Sequence, residues 1–174
     1  MTLATGNPIK RRNQCAFTLV EMILVMVLLV VAVSLVAPKL SGFMRERALD
    51  SEARRMFAIM HAGQARAVSE GMPVMLWIDE KKNGYGIEEE TPAKKTDPQA
   101  ESYTADENVQ VSVMNLSGSA ITFNNLPAIR FLADGTVDEN SPQAVKLTGS
   151  TGNELWLLES ADRRGYEISN SDKL

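Results

Sequence analysis

The sequence predicts an α+β fold in which one long N-terminal helix packs on an antiparallel β-sheet domain. Three observations predict it. Residues 17–37 read FTLVEMILVMVLLVVAVSLVA, an apolar run with Glu21 as its one charge. Beyond Pro38 the apolar residues recur at helical spacing, and after Gly71 they fall into short segments divided by turn residues.

The apolar run comes first. At 1.5 Å per residue it is long enough to cross a hydrocarbon core of about 30 Å, which takes about 20 residues. Val, Leu, Ile and Met cover every face, unlike the single stripe of a soluble surface helix. Lys10, Arg11 and Arg12 precede it. A cleaved secretory signal ending at Ala32-Val33-Ser34 is the competing reading, and two features oppose it. The run exceeds the usual apolar core of about 7–15 residues, and a carboxylate would sit inside it. A charge such as Glu21 costs about 2.5–3.5 kcal/mol at the centre of a membrane helix, so it needs a partner. If the chain were cut between Ala16 and Phe17, the new α-amino group would lie one helical turn before Glu21; the amine of a neighbouring subunit is an equal candidate.

The second half of the helix carries the stripe Leu49, Ala53, Met56, Phe57, Met60, Gly63 and Ala67, with Arg54, Arg55 and His61 largely off that face. Pro38 lacks an N–H and crowds the preceding turn, which predicts a bend there, while Gly71 and Pro73 predict the end of the helix. Strands are expected at 74–78, 85–89, 109–114, 120–123, 128–132, 145–148, 154–158 and 166–169. Asn83-Gly84, Asp134-Gly135 and Arg164-Gly165 supply turn residues that tolerate positive φ. Trp77 and Trp156 alternate with apolar neighbours and are expected in the core. Between Glu88 and Asn108 a polar stretch with Pro92 and Pro98 reads as a long surface loop.

Composition excludes most chemistry. One cysteine, Cys15, and one histidine, His61, among 174 residues allow no intramolecular disulfide and no Cys/His zinc cluster. The formal charge is -4. Losing Lys10, Arg11 and Arg12 would make it -4 minus 3, or -7, which disfavours general polyanion binding. Without a nucleophile motif, His61 reads as a solvated or interfacial residue. Asn13-Gln14 are polar where a lipidation motif before Cys15 needs small and apolar residues. No catalytic residue and no cofactor is expected, so the chain is read as a structural protein.

Ala16-Phe17-Thr18-Leu19-Val20-Glu21, with the basic leader before it, resembles the processing site of type IV prepilins and type II secretion pseudopilins. The family usually has glycine where this chain has Ala16. The resemblance implies cleavage by a prepilin peptidase between Ala16 and Phe17, N-methylation of Phe17, subunit registration through Glu21 and a helix kink at Pro38. It also implies an organisation of cytoplasmic leader 1–16, transmembrane helix 17–37, amphipathic helix 38–70 and periplasmic β-domain 71–174. The partners it implies are the inner membrane and other pseudopilins or pilins.

A second resemblance covers the rest of the chain. An Arg- and Ala-rich helix, then PVMLWID, an Asn-Gly hairpin and IRFLADGTV, is similar to the minor pseudopilin H and FimT/FimU group. It implies a minor pseudopilin of a type II secretion machine; the alternative is a FimT/FimU-like minor pilin in pilus priming or DNA uptake. Arg163-Arg164, with Lys173, is the feature that speaks for DNA, and Asp162, Glu167 and Asp172 around it speak against. For the acidic calcium loop of the major pseudopilin the best candidates are Asp134, Asp138, Glu139 and Asn140. A hairpin turn and a solvated loop account for them more simply, so no metal is expected.

Overall fold

The computed structural model describes residues 18–90, 97–114 and 121–170, the side chains of 36–41, 43 and 44 excepted. One helix, α1 (Leu19–Glu70), precedes the strands. The chain divides into two compact units, Met1–Leu40 and Ser41–Leu174, so the two parts of α1 belong to different units.

In the second unit α1 ends where the sequence predicts. Gly71 adopts φ 66°, the left-handed conformation that closes a helix, and Pro73 follows. The strands are β1 (Val74–Asp79), β2 (Gly84–Glu89), β3 (Glu101–Thr104), β4 (Val109–Met114), β5 (Thr122–Phe123), β6 (Leu126–Phe131), β7 (Ala144–Gly149), β8 (Glu154–Glu159) and β9 (Tyr166–Ser169). They form two antiparallel sheets, of order β3-β2-β1-β6-β5 and β4-β7-β8-β9.

One core joins the helix to both sheets. Met56 and Met60 from α1 meet Leu76, Tyr85 and Phe131 from the first sheet and Val111, Leu147 and Leu157 from the second. Gly63 permits the close approach: a Cβ there would lie 3.3 Å from the Phe131 ring. Phe57 departs from the expected stripe. It is only partly buried and stands edge-on to His61, with ring centroids 4.5 Å apart, while Ile59 occupies the buried position. A buried polar tie crosses the same interface, as the Tyr85 hydroxyl donates to Glu52 Oε1 at 2.6 Å. Burial first, and Glu52 second, hold that phenol well above its ordinary range.

The polar stretch after β2 is a correction. It contains β3, and its middle is fastened to the helix by Asp97, which is 5% exposed. Arg66 donates to both Asp97 oxygens, at 2.9 and 2.8 Å, and to Glu70 at 3.0 Å. The backbone N–H groups of Glu89 and Gln99 also donate to Asp97. These bonds, Arg66 first, hold the carboxyl at about 2, below its usual range.

Trp77 is a second correction. It belongs to neither buried cluster: directly opposite Gly86, its ring covers the bare backbone so closely that a Cβ there would meet it at 2.5 Å. Trp156 sits in a separate small cluster with Ala144 and Leu158, under the Lys146 ammonium. The turns follow the expectation and add one pair to it. At Asn83-Gly84 the positive φ, 52°, falls on Asn83, and the pair Asn124 (φ 51°) and Asn125 (φ 65°) reverses the chain between β5 and β6.

Candidate functional site

The residues expected to carry function lie at the start of α1. Ala16 and Phe17, the expected processing and methylation positions, lie outside the described residues, as does Cys15. Thr18 caps the helix: its Oγ1 accepts the Glu21 N–H at 3.2 Å, and its carbonyl accepts the Met22 N–H. Glu21 therefore sits in the first turn, where the unsatisfied N–H groups and the helix dipole favour a negative charge. The spacing Thr18-x-x-Glu21 also has the form of a capping box, a local use for the carboxylate that sequence reasoning missed.

From Leu19 to Leu35 every side chain is exposed, among them Leu24, Val25 and Met26 on different faces. Ser34, the polar interruption, turns its hydroxyl back onto the Val30 carbonyl at 2.7 Å and so meets its hydrogen-bonding need within the helix. Among the described residues no helix is long and apolar enough to cross a membrane. The described apolar side chains stop at Leu35, with those of 36–41 outside the description. Pro38 falls within the span of α1.

The remaining candidates resolve into local structure. Asp134 accepts the N–H and hydroxyl of Thr136, and Asp138 accepts the Asn140 N–H while pairing with Arg130 at 3.4 Å. Glu139 instead faces Arg163 at 3.4 Å. These acids stabilise turns and balance arginines; among the described residues no cluster of three could hold a metal ion. Arg164 faces Asp162 at 3.8 Å, so both arginines of the proposed DNA patch stand beside carboxylates, and Arg163 spends a φ of 54° on the turn itself. Lys173 lies outside the described residues.

One functional contact had no signal in the sequence. Gln64 on α1 donates to the carbonyls of Gly135 and Arg164, at 2.5 and 2.6 Å, pinning two hairpin tips to the helix. A glutamine at the margin of an amphipathic face looks solvated until the two tips are known to converge on it.

This fold has solved relatives. Two crystal forms of the type IV minor pilin FimU from Pseudomonas aeruginosa match it at 15% identity. One covers 75% of this chain and 95% of FimU with a TM-score of 0.54, and the other covers 71% and 94% with 0.51. The minor pseudopilin EpsH of the Vibrio cholerae type 2 secretion system matches at 13% identity over 69% of this chain and 93% of its own, with a TM-score of 0.49. No curated protein sequence matches. In sequence, the model of the prokaryotic N-terminal methylation motif matches residues 11–37, the leader and apolar helix start. The model of the type II transport protein GspH matches residues 52–170, which take in the buried helix face and both sheets. The chain belongs to the GspH family of type II transport proteins.

Proposed function

We propose that the chain is a minor pseudopilin, a non-enzymatic structural subunit of a type II secretion pseudopilus. The observation that carries the reading is the pairing of a GspH-family body with an N-methylation motif at the helix start. In this reading a prepilin peptidase removes residues 1–16 and Phe17 is N-methylated. Residues 17–37 cross the inner membrane once, Pro38 bends the helix as it leaves, and residues 71–174 form a periplasmic domain. The exposed apolar side chains from Leu19 to Leu35 favour this, because such a surface is stable only in lipid or against other apolar helices. A FimU-like role in a type IV pilus shares the fold, but the acids beside Arg163 and Arg164 argue against DNA capture.

Glu21 tests the reading. Its carboxylate, on an exposed residue here, would meet the Phe17 amine of a neighbour in a filament's apolar interior. Glu21→Ala should insert, be cleaved and be methylated, with intact mass showing a chain that starts at Phe17. Inside the filament the neighbouring amine is then unpaired, so cross-linking to other pseudopilins should fall sharply. Undiminished incorporation at internal positions would rule the pairing out.

A further inference from the structure

We propose that the outer edge of β9 is a docking site for an extended, basic segment of a partner protein, which adds to the second sheet as a fifth strand. The inference comes from how the other edges are treated. Asn83, in the turn between β1 and β2, accepts the Val111 N–H at 3.0 Å and donates to the Val109 carbonyl at 2.6 Å, while Glu80 accepts the Val113 N–H at 2.6 Å. Two side chains thus stand in for a strand along β4. On the first sheet, Arg55 donates to the Thr104 carbonyl at the end of β3, and Arg66 to that of Gln99 just before it, at 3.4 and 3.3 Å. The opposite edge, β5, is two residues long. Shortness and side-chain cover are the devices that keep sheet edges from pairing with other chains.

Among the described residues no such device covers the outward backbone groups of Tyr166 and Ile168 in β9. Its register with β8 opposes Tyr166 to Glu159, Glu167 to Leu158 and Ile168 to Leu157. The Ser160 N–H bonds to the Gly165 carbonyl, so that pair faces inward and the alternation of an antiparallel ladder turns the backbone groups of Tyr166 and Ile168 outward. Among the described residues nothing bonds to them. The Ile168 side chain, 38% exposed, lines a cleft of about 700 Å³ with Glu139, Glu159 and Glu167. Arg163, the cation in that lining, already faces Glu139. Open backbone donors and acceptors, an apolar side chain and surplus negative charge together fit a strand with an apolar residue toward Ile168 and lysine or arginine beside Glu167. The site is read from the β-domain alone, so it stands whether or not Glu21 pairs as proposed above.

Amide hydrogen exchange on the full-length chain in detergent micelles tests this in two steps. With the chain alone, the Ile168 amide should exchange at least about tenfold faster than the neighbouring Glu167 amide, which points at β8. Equal protection would mean the edge is already occupied and would overturn the proposal. A Lys-Val-Thr-Val-Lys peptide with blocked ends should then slow Ile168 and Tyr166, whereas a Glu-Val-Thr-Val-Glu peptide should not. No protection by the basic peptide, or equal protection by both, would also overturn it. Ile168→Pro removes one outward N–H without touching the ladder to β8, and should abolish peptide protection while leaving Glu167 slow. Should that variant unfold, the surface change Glu167→Lys decides: it should reverse the preference between the peptides, and an unchanged preference counts against the site.

Discussion

Met26 and Met56 lie on the same helix, yet Met26 is 65% exposed and Met56 is fully buried. Around Met26 the neighbours along the helix are apolar on every face and, among the described residues, they stay exposed. Around Met56 the sequence alternates apolar stripe and charged face, and two sheets close over the stripe. The difference teaches that a run of hydrophobic residues does not itself make a core. Apolar surface stabilises a fold only when the same chain provides the other side of the contact; otherwise its stabilisation belongs to lipid or to another subunit.

Substitutions that remove packing or charge pairing should separate the two halves. Trp77 and Trp156, both in the β-domain, report its unfolding by fluorescence in the full chain in micelles. The largest effect is expected at Asp97. Asp97→Ala leaves the Arg66 guanidinium buried without its main partner and should cost about 3–5 kcal/mol in urea unfolding. The wild-type pairing is also pH-dependent. Because folding lowers the Asp97 pKa from 3.8 to about 2, its stabilisation is fully present above about pH 4 and is lost as pH falls toward 2. Asp97→Ala should lack that acid-side decline, and an identical decline in both proteins would show that other groups cause it.

Met56→Ala should follow, at about 2–5 kcal/mol for a filled core position, while Met26→Ala should change β-domain stability by less than about 0.5 kcal/mol. Similar costs at the two sites would erase the distinction drawn above. Phe57→Ala sharpens it, since a ring half in the core should cost only about 1–2 kcal/mol; a loss as large as that at Met56 would mean that the edge contact with His61 matters more than burial. The smallest effect, and the one of opposite sign, is expected at Glu159. Burial raises its pKa against the opposing pull of Arg163, and one carboxyl oxygen is buried without a hydrogen-bond partner. The penalty is absent below the unfolded pKa near 4.5 and grows as pH rises through the folded value. Glu159→Gln should therefore raise the urea midpoint slightly at neutral pH and leave it unchanged near pH 3.

Much of this was legible in the sequence because it is encoded locally. Helical periodicity gave the buried face from Leu49 to Ala67, and Gly71-x-Pro73 gave its end, since backbone conformation depends there on single residues. Alternation located most of the strands. The short strand β3 was hidden because Glu101-Ser102-Tyr103-Thr104 is a surface edge with no buried run to mark it. Phe57 was misplaced because a stripe read by spacing does not say where the covering sheets stop. Trp77 was misplaced because its environment is set by Gly86 on the next strand, and only register brings that glycine opposite. Gln64, Asn83 and Asp97 act across 71, 26 and 31 positions, distances at which a polar residue in one sequence carries no visible partner. At the expected site, the apolar surface was readable from the run after Glu21, whereas the cap encoded in Thr18-x-x-Glu21 was missed because the carboxylate was read only as a charge in need of a partner. Pairing of Glu21 in a filament depends on a second chain and has no counterpart in a single one.

The anchoring of the segment after β2 has a practical consequence for following this protein in a working secretion apparatus. On one side Glu90 is held by its N–H to the Pro73 carbonyl and by its carboxylate to Arg130; on the other, Asp97 is clamped by Arg66. Entry to and exit from residues 91–96 are thus fixed by contacts that do not involve them. Lengthening a connection between fixed ends costs only about 0.6 kcal/mol per doubling, so an insertion between the two anchors should leave both in place. An epitope or a small dye-binding peptide grafted between Glu90 and Asp97 should therefore label the subunit while sparing both the helix face and the open edge at β9.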